Sequence, residues 1–241
     1  MLKIDTCVIL AGGFGSRITE ETTDKPKPMV LIGDLPIIHH IMNYYSIYGI
    51  NNFIICSGYK SNIIKRYFYD NLILDGDIEI DFKNSYLKKI KYSSSFKNWN
   101  IKIIDTGLDS NTGGRLKPIF KFIKNDNFFL TYGDGLSNVN LKKLEEEHFK
   151  KNPLVTVTAV KKNERFGGLE INPKNNVTKF MEKKLVNDTY INGGFFIINK
   201  NIEKFIKSKK TSLEFDVLSK LAKLNKLYAF KHHGFGNAWI I

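Results

Sequence analysis

The sequence is short of the features that mark secreted, membrane-spanning and disordered proteins. Its 241 residues include only 2 cysteines and 6 prolines, and no apolar run reaches the roughly 18 residues that a transmembrane helix needs. The N-terminus lacks the basic region, apolar stretch and small-residue cleavage site of a signal peptide. With 42% hydrophobic and 13% aromatic residues, the composition also excludes a disordered chain. We therefore expect a folded, cytoplasmic chain without a membrane contact.

The two cysteines each lie in an apolar, β-branched run. Cys7 precedes Val-Ile-Leu, and Cys56 follows Phe-Ile-Ile. These surroundings predict small hydrophobic side chains in buried strands. Neither the spacing of the cysteines nor the expected compartment favours a disulfide or a metal site.

Arginine is scarce in a strongly basic chain. The 37 basic and 24 acidic residues give a formal net charge of +13, yet only four of the basic residues are arginines: Arg17, Arg66, Arg115 and Arg165. The lysines are scattered, and no basic block alternates with aromatic residues as it would in a single-strand nucleic-acid platform. We expect a solvated, lysine-rich surface and no nucleic-acid partner. The placement of the arginines says more about function than that of the lysines. Three of the four arginines lie in the motifs described below, where a rigid guanidinium suits a binding site.

Apolar periodicity predicts alternating strands and helices over the first 150 residues. The predicted strands cover residues 6–11, 52–57, 101–106 and 128–132, and the predicted helices cover residues 37–48, 61–69, 115–124 and 141–151. This order predicts an α/β fold with a Rossmann-like, mostly parallel sheet flanked by helices. Ligands of such sheets bind at the carboxyl ends of the strands.

The second half of the chain has a different pattern. Strand candidates follow one another at residues 154–160, 168–171, 177–182 and 190–198, before helical signals at 202–207 and 213–224. We interpret this half as a mixed continuation of the same sheet with a small antiparallel excursion, within a single domain of residues 1–241. Residues 75–98 have no clear pattern, and we interpret them as a surface insertion or flap.

A glycine-rich turn follows the first predicted strand. The sequence there is Leu10-Ala11-Gly12-Gly13-Phe14-Gly15-Ser16-Arg17, with Lys27 ten residues further on. Backbone N–H groups in such a turn can cradle a phosphate, and the arginine and lysine can neutralise a triphosphate. The spacing matches neither the dinucleotide fingerprint nor a Walker A loop. An ordinary glycine turn is the alternative, and the added basic residues favour a phosphate site over it.

A second motif, Tyr132-Gly133-Asp134-Gly135, directly follows the predicted strand 128–132. An aspartate at the carboxyl end of a strand, between glycines that leave space around it, is placed to hold Mg²⁺ against phosphate oxygens. The alternative is a simple turn, which Gly-Asp-Gly often forms. Its place in the same predicted sheet as the glycine-rich turn favours the metal site.

Together these motifs resemble the sugar-phosphate nucleotidyltransferase family over nearly the whole chain. In that family, Gly-Gly-x-Gly-Ser/Thr-Arg and a downstream lysine receive a nucleoside triphosphate. Further matching stretches, in family order, are residues 25–29, 53–60, 105–107, 112–117, 131–135, 165–167 and 191–196. The Thr-Gly-Gly-Arg-Leu-Lys element at 112–117 is similar to that of members that use CTP.

The resemblance implies a glycosyltransferase-A-like fold and a reaction between CTP and a hexose 1-phosphate. The expected products are CDP-glucose, made from α-D-glucose 1-phosphate for surface polysaccharide such as O-antigen, and pyrophosphate. The expected cofactor is Mg²⁺, and the chain is a candidate homo-oligomer. The resemblance also divides the domain into a nucleotide-binding half, residues 1–150, and a sugar-phosphate-binding half, residues 151–241.

The resemblance assigns roles to individual residues. The implied catalytic residues are Arg17 and Lys27, which would grip the pyrophosphate, and Asp134, which would bind the metal. The implied nucleotide-binding residues are Leu10, Ala11, Gly12, Gly13, Gly15, Ser16, Arg17, Lys27, Thr112, Gly113, Gly114, Arg115 and Gly133. The implied sugar-phosphate-binding residues are Gly167, Glu182, Lys183, Asn192 and Gly193.

Each of these assignments has a structural alternative. Lys183 is also interpretable as one more exposed lysine, with Glu182 as its surface partner. Arg115 is also interpretable as part of the solvated face of a helix. Asn192, Gly193 and Gly194 are also compatible with a bulge in a strand.

The sequence departs from the family pattern in two places. The family's Glu-Lys-Pro element is Glu182-Lys183-Lys184 here, so the stiffening proline is missing. The chain also ends in Gly236-Asn237-Ala238-Trp239-Ile240-Ile241, where the family has a second metal-binding aspartate and further helices. With one carboxylate the metal would be less firmly placed, so we expect the chain to bind CTP but to turn over poorly.

Three other functions are alternatives to this one. The same chemistry with another pyrimidine triphosphate or another phosphorylated acceptor fits the same phosphate grip, because fold does not fix the base or the sugar. A non-catalytic CTP-binding protein fits the missing carboxylate. Nucleic-acid binding driven by the net charge of +13 is the least favoured.

Overall fold

A computed structural model describes residues 2–14, 24–74, 78–89, 98–161, 168–181, 190–233 and 236–238. The strands are β1 Thr6–Ala11, β2 Leu31–Ile32, β3 Leu35–Pro36, β4 Asn52–Ser57, β5 Ile78–Asp81, β6 Tyr86–Lys89, β7 Asn100–Asp105, β8 Asn127–Tyr132, β9 Gly135–Ser137, β10 Val155–Lys161, β11 Gly168–Ile171, β12 Val177–Met181, β13 Tyr190–Asn199, β14 Leu227–His232 and β15 Gly236–Ala238. The α-helices are α1 Ile37–Ile47, α2 Ser61–Leu74, α3 Leu141–Lys151 and α4 Ser219–Lys223. Three segments are 3₁₀ helices, at Lys27–Met29, Gly114–Phe122 and Lys200–Phe205, and Leu213–Leu218 is a π-helical turn that leads into α4.

The first half of the chain forms the parallel part of one large sheet. Strand β1 pairs in parallel with β4 on one side and with β8 on the other, and β4 pairs in parallel with β7. All residues of β1 are buried, as its unbroken apolar sequence predicts for a strand covered on both faces. Since these four strands run in the same direction, their carboxyl ends lie at one edge of the sheet.

The second half continues the sheet with mixed pairing. Strand β13 pairs antiparallel with β8 and with β10, and β14 pairs in parallel with β10. Strands β11 and β12 form an antiparallel pair next to β13. The expected mostly parallel sheet with a small antiparallel excursion is confirmed.

The sheet has a separate apolar core on each face. Side chains alternate along β1, so that Val8 and Leu10 pack on one face while Cys7 and Ile9 pack on the other. Helices α1, α2 and α3 cover the face of Cys7, and the helical segments of residues 114–122 and 200–223 cover the opposite face. Both cysteines are fully buried, as expected for small hydrophobic residues, and burial raises the pKa of Cys56 to about 12.

Several segments differ in type from the sequence-based expectation or make it more specific. The helical signals at residues 202–207 and 213–224 are a 3₁₀ helix at Lys200–Phe205 and a π-helical turn that leads into α4. The helix predicted at residues 115–124 is a 3₁₀ helix that contains Pro118, which has no N–H to continue an α-helix. Within residues 75–98, which we interpreted as an insertion or flap, β5 and β6 form an antiparallel hairpin. At the turn of this hairpin Phe82 is 88% exposed.

None of the helices in the described ranges is both long enough and apolar enough to cross a membrane.

A buried carboxylate fixes the start of the chain to α3. Glu145 is 6% exposed, and its Oε1 accepts hydrogen bonds from the backbone N–H groups of Lys3 and Ile4, both at 2.8 Å. We expect Glu145→Ala to lower the free energy of unfolding by about 1.5–3 kcal/mol, the usual contribution of hydrogen bonds to a charged group. Urea denaturation measures the change. The exposed neighbour Glu146 provides the control, since Glu146→Ala removes the same charge without these bonds. Equal denaturation midpoints for the two variants would contradict the prediction.

A buried histidine makes stability depend on pH. The His148 ring lies within hydrogen-bond distance of Thr156 Oγ1 through Nδ1 (2.8 Å) and of Asn127 Oδ1 through Nε2 (3.2 Å), and burial lowers the pKa of His148 to about 4. The amide oxygen can only accept, so Nε2 carries the proton and Nδ1 accepts from the threonine hydroxyl. The pKa of this histidine in the folded protein lies below its unfolded value of about 6.5. The free energy of unfolding is therefore larger above pH 6.5 than at lower pH, where only the unfolded state binds the proton readily.

We therefore expect this contribution, roughly 3 kcal/mol, to disappear as the pH falls from 6.5 to 4. Denaturation curves across this pH range should show a smaller acid-induced loss of stability for His148→Gln than for the unmodified protein. His233→Gln, at an exposed position, should leave the pH dependence unchanged. An unchanged slope in His148→Gln would show that other groups dominate the acid response.

Candidate functional site

A cavity of about 740 Å³ lies at the carboxyl edge of the parallel strands. The residues that follow β1 and β8 form one wall, and residues 108–115 and 210–215 form the other. The cavity lies where ligands bind in open α/β sheets, because several strand ends and their loops meet there. Its location agrees with the ligand edge that the strand order predicted.

The glycine turn after β1 forms the inner wall of the cavity. Gly133 N donates to the Leu10 carbonyl (2.9 Å), and Tyr59 N donates to the Gly12 carbonyl (3.2 Å), so neighbouring strand ends hold the start of the turn. A Cβ on Gly13 would meet no atom within 4 Å. A ligand can therefore approach the Gly13 backbone closely from the cavity.

Lys27 and Asp134 face each other across the base of the cavity. Lys27 Nζ lies 3.8 Å from Asp134 Oδ2, and the two side chains are 13% and 31% exposed. The 3₁₀ helix that begins at Lys27 packs closely against the end of β8. A Cβ on Gly133 would lie only 2.8 Å from Pro28 Cγ. Glycine at position 133 is therefore needed to bring Lys27 next to Asp134.

The Arg115 guanidinium is buried beneath the glycine turn. Arg115 is 4% exposed, and its Nη1 donates to Thr106 Oγ1 (2.9 Å) and to the Gly107 carbonyl (2.8 Å). Its Nη2 lies 3.4 Å from the Leu108 carbonyl, and a Cβ on Gly12 would lie 2.2 Å from Nη1. The pKa of the guanidinium is lowered by burial. Arg115 is therefore not part of a solvated helix face, but joins the glycine turn to the loop after β7.

The glycines next to Arg115 have a packing role. A Cβ on Gly114 would lie 2.1 Å from the Lys209 carbonyl oxygen, and one on Gly113 would lie 2.9 Å from that of Thr211. Gly114 N donates to the Thr211 carbonyl (2.9 Å). These glycines bring residues 112–115 against residues 209–213, which places Thr112 on the cavity wall.

A carboxylate that the sequence interpretation missed lies on the same wall. Glu214, in the π-helical turn, accepts hydrogen bonds from the hydroxyls of Thr112 (2.5 Å), Tyr132 (2.6 Å) and Ser212 (3.0 Å). Burial raises the pKa of the Tyr132 phenol well above its usual value, and the Glu214 charge raises it further. In the sequence, Glu214 lies in a segment that reads only as a helical signal, so no local pattern identifies it.

Asn192 is connected to this wall through Tyr132. Asn192 Nδ2 donates to Tyr132 Oη (3.2 Å), and Asn192 Oδ1 accepts from Gly194 N (2.8 Å). Gly193 instead packs against β10, where a Cβ would lie 2.7 Å from Thr158 Oγ1. The structure thus links Asn192 to the cavity and gives the glycine at 193 a packing reason.

The structure brings together many of the residues expected to bind the nucleotide. Those that line the cavity are Leu10, Ala11, Gly12, Gly13, Lys27, Thr112, Arg115, Gly133 and Asp134. Gly113, Gly114, Asn192 and Gly193 lie behind or beside the lining. Six further expected residues, Gly15, Ser16, Arg17, Gly167, Glu182 and Lys183, fall outside the described residues. The binding roles of all these residues stay predictions.

The described part of the cavity lining contains side chains of both charges. Lys27, Arg115 and Lys210 supply positive charge, and Asp109, Asp134 and Glu214 supply carboxylates, of which Asp134 lies next to Lys27. Within the described ranges, no group of three or more histidine, cysteine, aspartate or glutamate side chains forms a ready-made metal centre. A single carboxylate is compatible with Mg²⁺, which commonly takes part of its coordination from phosphate oxygens and water.

Comparisons with known proteins agree with this geometry. The sequence profile of the nucleotidyl transferase family matches residues 6–240. The glucose-1-phosphate cytidylyltransferase of Salmonella typhimurium is 41% identical over 229 residues, which are 95% of this chain and 88% of that protein. The D-glycero-alpha-D-manno-heptose 1-phosphate guanylyltransferase of Aneurinibacillus thermoaerophilus is 32% identical, over 92% of this chain and 87% of that protein.

A solved structure shares the fold and contains a nucleotide analogue. HddC from Yersinia pseudotuberculosis, complexed with GMP-PN, superimposes with a TM-score of 0.76 at 26% identity, covering 99% of this chain and 95% of that one. The profile match and the 41% identity both extend over nearly the whole chain. On these findings, the chain belongs to the nucleotidyl transferase family.

Proposed function

We propose that this protein transfers a cytidylyl group from CTP to α-D-glucose 1-phosphate, giving CDP-glucose and pyrophosphate. The observation that carries this function is the approach of Lys27 and Asp134, 3.8 Å apart, beside an open glycine turn at the carboxyl edge of the sheet. The 41% identity to a named glucose-1-phosphate cytidylyltransferase supports the choice of CTP and glucose 1-phosphate. The CDP-glucose would serve CDP-sugar and surface polysaccharide synthesis.

The reaction needs no covalent intermediate on the protein. A phosphate oxygen of glucose 1-phosphate attacks the α-phosphorus of CTP in line, and the bond from that phosphorus to the pyrophosphate oxygen breaks. The protein must position two polyanions and neutralise the negative charge that builds up on the phosphates. The N–H groups of Gly12 and Gly13 would receive the phosphates, and Lys27, with Arg17, would hold the leaving pyrophosphate.

Asp134 is the residue that would hold Mg²⁺. The Asp134 side chain is 31% exposed, lines the cavity and lies beside the Lys27 ammonium, next to the expected position of the phosphates. When bound, Mg²⁺ would supply positive charge to the reacting phosphate oxygens. The Lys27 ammonium would supply a second positive charge to the phosphates, next to the metal.

The acceptor is proposed to bind on the side of β13. Asn192, held by Tyr132, would contact the sugar, and the backbone at Gly193 would lie nearby. Lys183 would pair with the phosphate of the sugar, and Glu182 and Gly167 would line its hydroxyls. Thr112 and Arg115 would adjoin the nucleotide, while Gly113 and Gly114 would support them.

A nucleotide panel tests the proposed function directly. We expect the purified chain to release pyrophosphate with glucose 1-phosphate, Mg²⁺ and CTP, and to release much less with UTP, dTTP or GTP. Preferred use of another triphosphate would assign the same chemistry to another substrate pair. Binding of CTP without pyrophosphate release would instead favour a non-catalytic nucleotide-binding protein.

Removal of the Asp134 charge tests its metal role. We expect Asp134→Asn to lower kcat by about 100-fold or more, because the amide binds Mg²⁺ poorly and leaves the Lys27 charge unbalanced. Steady-state pyrophosphate release, measured over a range of Mg²⁺ concentrations, gives kcat and the metal requirement. Asp126→Asn, at an exposed position away from the cavity, is the matched control. An unchanged Mg²⁺ dependence in Asp134→Asn would overturn this role.

The buried guanidinium gives a second test. Lysine cannot reproduce the fork that reaches Thr106, Gly107 and Leu108 at once, so we expect Arg115→Lys to displace the glycine turn. The KM for CTP should then rise about tenfold, the loss expected for a single weakened contact. Arg66→Lys is the control, because the Arg66 side chain is 83% exposed on α2. An equal KM for CTP in both variants would show that the turn does not depend on Arg115.

A further inference from the structure

We propose that Glu214 is a positioning residue that couples the nucleotide side of the cavity to the acceptor side through the hydroxyls of Thr112 and Tyr132. This proposal rests on the proposed function, because it assigns the two sides to CTP and to glucose 1-phosphate.

Glu214 connects segments that are far apart in the sequence. Its Oε2 accepts from Thr112 and Ser212, and its Oε1 accepts from Tyr132. Thr112 lies 102 residues before Glu214 and Tyr132 lies 82 residues before it. The distances of 2.5 Å and 2.6 Å are those of strong hydrogen bonds from hydroxyls to an ionised carboxylate. One side chain therefore joins the loop before the 3₁₀ helix at Gly114–Phe122 to the end of β8.

The carboxylate also fixes the direction of each hydrogen bond. An ionised carboxylate only accepts, so both hydroxyls must point their protons at Glu214. Their lone pairs then face away from it. Tyr132 Oη accepts from Asn192 Nδ2 (3.2 Å), and Thr112 Oγ1 accepts from Leu213 N (2.9 Å).

The orientation of Asn192 follows from this chain of bonds. Its amide nitrogen donates to Tyr132 while its amide oxygen accepts from Gly194 N (2.8 Å), so the amide has one favourable orientation. Gly194 has a φ of +79°, and a Cβ there would lie 3.2 Å from the Tyr132 ring. The backbone of β13 is thus shaped around the same tyrosine that Glu214 holds.

Tyr132 also connects Glu214 to Asp134, the residue proposed to hold the metal. Tyr132 is the last residue of β8 and is followed by Gly133 and Asp134. A fixed phenol restrains the strand end from which Asp134 extends. Glu214 is thereby connected with the nucleotide wall, with the Asp134 end of β8 and with Asn192.

The Glu214 carboxylate would repel phosphates in the cavity, so its presence there calls for a physical explanation. The Glu214 charge is offset by three hydroxyl donors, and Asp134, not Glu214, is the acid beside Lys27. This arrangement favours a role in orienting hydroxyl groups over one in metal binding or proton transfer. A purely structural role would show as lost stability without an effect on individual substrates.

Three variants separate the two branches of the network. Tyr132→Phe keeps the ring and removes the bonds to Asn192 and to Glu214 Oε1, while the bond from Thr112 to Glu214 Oε2 remains. The KM for glucose 1-phosphate should therefore rise about tenfold, with the KM for CTP changed less than twofold. Thr112→Val should give the reverse pattern. Glu214→Gln keeps one acceptor oxygen and replaces the other with a donor, so it should raise at least the KM of the substrate on the side of the amide nitrogen.

Non-additivity is the signature of the coupling. In the double variant Glu214→Gln/Tyr132→Phe, the KM for glucose 1-phosphate should be no higher than in the more strongly affected of the two single variants. Asp216→Asn is the matched control, since Asp216 lies in the same π-helical turn and accepts from Ser212 N (2.7 Å), but is exposed. It should affect thermal stability without changing either KM.

Several results would overturn the proposal. These are additive effects in the double variant, unchanged KM values in Glu214→Gln together with lower stability, or a change in kcat and its pH profile alone. Dissociation constants for CTP and for glucose 1-phosphate, measured by calorimetry on the same variants, should show the same split. If the unmodified chain binds neither ligand, the proposed function fails and this proposal fails with it. If it binds and turns over both while the split is absent, only the role of Glu214 is wrong.

Discussion

The buried guanidinium of Arg115 is the interaction on which the candidate site depends. Placing a positive charge in the interior is unfavourable unless its donors are satisfied. Here the planar fork reaches the Thr106 hydroxyl and the carbonyls of Gly107 and Leu108, and its Nη1 lies directly against Gly12. This one side chain contacts the residues that follow β1 and β7, and its Nη1 lies 3.5 Å from the carbonyl of Ser57, the last residue of β4. This explains why an arginine occurs here in a chain that uses lysine for almost all its other basic positions.

Two of the carboxylates that line the cavity have different surroundings. Asp134 lies next to Lys27, where a metal ion and phosphates would share its charge. Glu214 instead accepts hydrogen bonds from three hydroxyls, those of Thr112, Tyr132 and Ser212, which stabilise its charge. The tasks proposed for the two carboxylates differ because the neighbours of one include a cation and those of the other are hydroxyls.

Close backbone packing determines the shape of the cavity as much as its polar groups do. The absence of a side chain lets Gly133 pack against Pro28, Gly114 against the Lys209 carbonyl and Gly12 against the Arg115 guanidinium. Each contact brings a candidate site residue to the cavity wall: Lys27, Thr112 and Arg115 itself. Relatives that are named for different bases are similar in sequence to this chain over more than 90% of its length, and a shared fold does not by itself fix the base.

The sequence by itself determined the parallel half of the fold and the location of its ligand edge. Continuous apolar runs followed by glycines are sufficient to define β1 and β8, because strands buried on both faces leave this local pattern. The sequence motifs also singled out Lys27 and Asp134, which the structure brings to 3.8 Å from each other, while their roles toward phosphate and metal stay predictions. The tertiary structure decided what no local pattern contains. The partners of Arg115, the packing role of Gly114 and the connection of Glu214 to Tyr132 all join segments many residues apart, and such contacts exist only after the sheet has brought those segments together.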